Sequence, residues 1–136
     1  MSILDSKFFK LDPKVAKWGI VGSVVGILIL TVMEFPPPIG FEARSQANVS
    51  PLWLLLFLAI LIAEVGALVV VRKKPQLGAN FAIAAGALNL LQIAADQLHL
   101  MQPDAIPLGY TLLELLVGVL SLVLIYFGLS LKRQSR

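Results

Sequence analysis

Glu64, Asn89, Gln92, Asp96, His99 and Glu114 stand inside otherwise apolar runs of this 136-residue sequence, and they are the side chains that could do chemistry. A charged group at the centre of a bilayer costs about 3 kcal/mol on insertion scales, so such residues are rarely accidental. Asn89, Gln92, Asp96 and His99 follow one another at steps of three, four and three. On a helix of 3.6 residues per turn those steps share one face. Glu64 belongs to an earlier apolar run and Glu114 to a later one.

Three kinds of chemistry fit this set. Asp96, His99 and Glu114 supply one imidazole and two carboxylates, a candidate ligand set for a divalent metal. The same groups could pass protons, a use that intramembrane carboxyl and imidazole groups often serve. They could also pair with one another, or with a partner subunit, and simply hold helices together. Asp96 and His99 lie near enough to the end of their run to be hydrated. A lone histidine cannot supply both axial ligands of a membrane b-type haem. With no cysteine there is no disulfide framework, thiolate metal site, iron–sulfur cluster or redox-active thiol pair. No nucleotide loop, nucleophile elbow, metalloprotease helix or EF-hand loop occurs. The residues therefore argue less for an enzyme than against one, specify no cofactor, and imply no nucleic-acid partner.

The elements that position these residues must be membrane spans. Hydrophobic residues make up 58% of the chain and charged residues 14%, against roughly a quarter charged in a soluble domain. Four apolar stretches run over about 15–33, 51–71, 77–100 and 108–131. Each is close to the roughly 20 residues a helix needs to cross the hydrocarbon core. A closed barrel would need alternating strands, and Trp53-Leu54-Leu55-Leu56-Phe57-Leu58 does not alternate. Pro36-Pro37-Pro38, Arg72-Lys73-Lys74-Pro75 and Gln102-Pro103 through Pro107 break the runs. Ser50-Pro51 reads as a helix cap followed by proline at the first helical position. The first run is too long for a signal peptide and is not followed by a cleavage site.

Charge orients the spans. Of the 11 basic residues, Lys7, Lys10, Lys14, Lys17, Arg72, Lys73, Lys74, Lys132, Arg133 and Arg136 fall on one side of a four-span layout, and only Arg44 on the other. Basic residues collect on the cytoplasmic side. The expectation is an all-α membrane protein: one domain over 1–136, four transmembrane helices in an up-down bundle, short loops and both termini cytoplasmic, in a prokaryotic plasma membrane. Trp18 and Tyr126 fall near one interface and Trp53 and Tyr110 near the other. Residues 1–14 read either as a short amphipathic helix on the leaflet, through Ile3, Phe8, Phe9 and Leu11, or as a tail without structure.

Small residues mark expected helix contacts: Gly19, Gly22 and Gly26 in span one, Ala59, Ala63 and Ala67 in span two, and Gly86 in span three. Spans three and four are consecutive and antiparallel, so counting inward from their loop puts Glu114 level with Asp96 and Gln92. The same counting puts Glu64 near Asn89, able to accept its hydrogen bond if spans two and three pack together.

Four spans and an intramembrane glutamate resemble the small multidrug-resistance transporters. That family carries its glutamate in span one, where this chain has only Glu34 at the outer end, so no residue role is transferred. The four-span layout with an acid in the second span is similar to DoxX-like membrane proteins over spans two and three. The leading expectation is a non-catalytic accessory or structural subunit of a larger membrane complex, in contact with lipid and with other subunits or copies of itself. The alternatives are a small oligomeric proton- or ion-coupled transporter, and a membrane enzyme or redox protein using the outer-leaflet polar cluster.

Overall fold

Helix starts are written locally. Asp12 accepts a hydrogen bond on its side chain from the Lys14 amide at 2.8 Å, and Pro13 takes the first helical position. Ser50 does the same for the Leu52 amide at 3.2 Å, ahead of Pro51. Each cap satisfies an amide that the helix itself cannot, and proline there loses nothing because its missing N–H would be unpaired anyway. Pro75 opens the third helix at the same position, after Lys74 and without a side-chain cap. The computed structural model describes residues 11–33, 50–100 and 106–134. Within them lie α1 (Pro13–Val32), α2 (Pro51–Val70), α3 (Pro75–Gln97) and α4 (Leu108–Gln134). All four are long and apolar enough to cross a membrane; the 20 residues of α1 or α2 span about 30 Å. The expected amphipathic stretch before residue 11, the triple-proline break and the loop at 102–105 lie outside the described residues.

The helices form an up-down bundle. Gly66 lies against Phe81 and Gly78 against Val71, which makes α2 and α3 antiparallel. Gly86 lies against Ser121 and Ile125, and Gly128 against Ala79 and Ile83, which does the same for α3 and α4. Gly19 meets Phe127 and Gly26 meets Leu120, so α1 runs antiparallel to α4. Going round the bundle the order is α1, α4, α3, α2. The consecutive helices α1 and α2 share the smallest of the four side-by-side interfaces.

The core is built from small and β-branched residues. Ala16, Ile20, Val24 and Ile27 face inward from α1, Ala63, Ala67 and Val71 from α2 and its C-cap, and Ala79, Ala82 and Ala85 from α3. Val117, Leu124 and Leu131 add one residue every two turns from α4. Between lipid-surrounded helices no hydrophobic gain drives association, so close backbone approach over small side chains must supply the contact energy. The outward faces are apolar: Ile62, Val69, Leu115 and Leu122 are all more than half exposed. Such a surface belongs in a bilayer, and the chain is an integral membrane protein.

Two sequence expectations change. The GxxxG pair Gly22 and Gly26 is not the packing face. A Cβ on Gly22 would meet nothing within 4 Å, whereas Gly19 and Gly26, seven residues apart, are the two that α4 approaches. Ala59 is exposed, while Ala63 and Ala67 are buried. Tyr110 is the third residue of α4, at the end away from the cations, with its side chain buried.

Every lysine and arginine among the described residues lies at one end of the bundle: Lys14 and Lys17 on α1, Arg72, Lys73 and Lys74 after α2, and Lys132 and Arg133 on α4. There the Arg72 guanidinium sits 4.9 Å from the centre of the Trp18 ring.

Candidate functional site

The inward face of α2 carries Ile60, Ala63, Glu64 and Ala67. Glu64 is the polar member of that set and is 1% exposed. Opposite it, α3 presents Asn89, also buried, among Ala82, Ala85 and Gly86. The small residues bring the two backbones close enough for short side chains to meet. Asn89 Nδ2 donates to Glu64 Oε1 at 3.0 Å and to the Ala85 carbonyl, one turn back, at 3.0 Å. Both amide protons are thereby used, one to link helices and one to fix the rotamer. Among the described residues Asn89 is the one hydrogen-bond donor to the Glu64 carboxyl.

The electrostatic setting is unusual. All described cations sit at the basic end, and none at the level of Glu64. An ionised carboxylate there would have a neutral amide as its partner and no countercharge, in a place where isolated charge is costly. The Gly86–Ser121 approach brings α4 to nearly the same depth. The hydroxyl of Ser121 donates to the Val117 carbonyl of its own helix at 2.7 Å. Ser130 is used likewise, on the Tyr126 carbonyl at 2.8 Å. Such back-bonding satisfies a hydroxyl inside a span without a partner helix.

A second polar group lies at the end opposite the cations. Gln97 donates through Nε2 to Oε2 of Glu114, joining α3 to α4. Asp96 is buried and Gln92 half-buried. Depth counting had put Glu114 level with Asp96 and Gln92. Gln97, which donates to it, is the next residue after Asp96 and lies off the polar stripe.

His99 departs from the stripe altogether. It has φ 58°, in the left-handed region, and is exposed. Its amide donates to the Asp96 carbonyl at 2.9 Å, and the Leu100 amide reaches back to the Ala95 carbonyl at 2.9 Å. Those two bonds form a Schellman cap with His99 as the left-handed residue. Helix α3 therefore ends at Gln97 rather than near Leu100, and a face drawn by helical periodicity cannot extend to His99. The expected ligand trio of Asp96, His99 and Glu114 is not assembled: among the described residues no three His, Asp or Glu side chains are grouped to hold a metal ion.

Comparison with family models, with curated proteins and with solved structures finds no match to this chain. The site is read from its own geometry.

Proposed function

We propose that this membrane protein is a non-catalytic accessory or structural subunit of a larger membrane complex, held in a prokaryotic plasma membrane with both termini cytoplasmic. The observation that supports it best is the Glu64–Asn89 hydrogen bond, which spends the deepest acid of the bundle on joining two helices. The Gln97–Glu114 bond acts in the same way on α3 and α4. Side chains engaged in holding helices together are those of a scaffold. The cytoplasmic orientation rests on the cations gathered at the end where α1 begins and α4 finishes. Purification in mild detergent followed by mass analysis of the intact assembly tests the proposal. Other membrane subunits should accompany the chain in fixed proportion, and a chain that is stable and functional alone would count against it.

One observation favours a second reading, an oligomeric proton- or ion-coupled transporter. Glu64 is buried midway through the bundle with no cation at its level, the setting in which a carboxyl can bind and release a proton. Proton-coupled flux in liposomes that Glu64→Gln abolishes would decide for it.

A further inference from the structure

The least occupied side of the bundle is the seam between α1 and α2, and its basic end is already shaped. Arg72 lies over Trp18 across that seam, 4.9 Å from guanidinium to ring centre. Trp18 is nevertheless 55% exposed, so the pair closes the end of the seam without being buried in it. From Trp18, Val21 and Val25 continue along one side of α1 at steps of three and four. From Arg72, Leu68 and Val65 continue along one side of α2 at steps of four and three. All six are half-buried or exposed. The two rows run away from the basic end as apolar stripes on α1 and α2, whose shared interface is thin. Lys17, half-buried, is one residue before Trp18, and Lys73 is exposed beside Arg72.

This is a surface with a cationic head and an apolar stem. An acyl chain fits the stem, because aliphatic side chains line it for seven residues on each helix, about 10 Å down from headgroup level. A phosphate fits the head, because a guanidinium presents a planar fork of donors and a lysine adds a point charge. Zwitterionic lipid brings its own cation and would meet Arg72 and Lys17 with like charge. We propose that the α1–α2 seam holds one anionic phospholipid on its outer side, its phosphate on Arg72 and Lys17 and one acyl chain along Val21, Val25, Val65 and Leu68. The lipid would complete an interface that α1 and α2 leave thin between themselves. The bound tryptophan ring, with the guanidinium on its face, keeps Arg72 at headgroup level rather than extended into water.

The test uses Trp18 as its reporter. Trp53, stacked on Phe57 with ring centres 5.0 Å apart, is first replaced as Trp53→Phe so that a single tryptophan remains. The full chain is reconstituted in vesicles of phosphatidylcholine carrying graded amounts of phosphatidylglycerol brominated on its acyl chain, or of equally brominated phosphatidylcholine. Quenching of Trp18 then gives the relative affinity for the two headgroups. Each cation engaged should favour the anionic lipid by about fivefold, the ratio for a basic side chain near an anionic surface. Arg72→Gln should lower the ratio by about that factor, Arg72→Lys should restore part of it, and Lys132→Gln, an equal change of charge on α4, should leave it unchanged. Because the readout is a ratio between two lipids on the same variant, a general loosening of the fold does not mimic the result, and circular dichroism checks that the helices remain. Equal quenching by both lipids in the parent chain would overturn the proposal. So would an equal fall in Lys132→Gln, which would mean diffuse attraction to the whole basic end, or a co-purified protein helix found on the α1–α2 seam in place of lipid.

Discussion

Asn89 of α3 divides its amide between two acceptors, giving one proton to Glu64 on α2 and the other to the Ala85 carbonyl of its own helix, both at 3.0 Å. The arrangement separates two roles for Glu64 that a simple alanine variant would confuse. The carbonyl oxygen of a glutamine can accept the same bond, but a glutamine cannot exchange the proton of a carboxyl group.

If the pair is a clamp, Glu64→Gln keeps close to parent stability while Asn89→Ala and Glu64→Ala both lose it. Hydrogen bonds between spans are worth about 0.6 kcal/mol on average and up to about 1.7. A double-mutant cycle over Glu64→Ala and Asn89→Ala, read by unfolding in mixed micelles, should therefore give a coupling of about 0.6–1.7 kcal/mol. A coupling near zero would mean that the bond contributes nothing to the fold. Loss of a transport activity in Glu64→Gln at unchanged stability would favour the carrier reading over the scaffold.

Glycines divide by what stands opposite them. A Cβ on Gly86 would lie 2.5 Å from the Ile125 side chain and 2.8 Å from the Ser121 carbonyl oxygen, and the oxygen cannot move without the α4 backbone. Gly86→Ala should push α3 and α4 apart and cost roughly 1–3 kcal/mol, the usual penalty of overpacking. Gly22→Ala adds the same methyl group to open space. It should be neutral, or stabilising by up to about 1 kcal/mol through helix propensity. Parallel thermal unfolding of the two variants in one detergent checks the contrast, and a comparable loss in both would refute the assignment of the packing face.

That contrast shows what could be read in advance and what could not. Spans and up-down topology were legible because hydropathy and charge placement are properties of whole segments. Depth put Glu64 and Asn89 at one level, since a short hairpin fixes the register of α2 on α3; that they meet depends also on the two helices turning those faces to each other. Gly22 and His99 were misread for one reason: each lies on a regular spacing, and spacing does not reveal where a helix stops or which way it is rotated. The rotation of α1 is decided by Phe127 and Leu120 of α4 seating on Gly19 and Gly26. The end of α3 is decided by a left-handed residue that is not glycine, so the usual stop signal was missing. Gln97 carries no signal of its contact in the sequence, because depth locates a level and not a side.

His99 supplies the next expectation. It adopts φ 58°, a conformation that costs a residue with a Cβ roughly 1 kcal/mol relative to glycine. The Schellman cap asks only for a backbone that turns left, and the exposed imidazole is not needed for it. His99→Gly should therefore raise stability by up to about 1 kcal/mol, and His99→Val should lower it, since a β-branched residue tolerates that region poorly. Chemical unfolding of the two variants measures both signs. A loss of stability in His99→Gly would show that the imidazole makes a contribution that the cap geometry does not account for.

The orientation can be tested cleanly because the chain has no cysteine of its own, so a single introduced thiol reports one position without background. Lys74→Cys sits at the basic end between α2 and α3, and Leu108→Cys opens α4 at the opposite end; both sites are exposed. With the basic end cytoplasmic, a membrane-impermeant maleimide should label Leu108→Cys in intact cells and Lys74→Cys only after the membrane is opened. The two thiols are on opposite ends of an antiparallel bundle, so their answers must be complementary. Labelling of Lys74→Cys from outside would invert the topology and put Trp18 and Arg72 in the outer leaflet, while leaving the bundle itself intact. Labelling of both in intact cells would mean that the chain inserts in two orientations. The seven described cations at one end, Lys14, Lys17, Arg72, Lys73, Lys74, Lys132 and Arg133, argue against that outcome, because dual insertion requires a charge bias near zero.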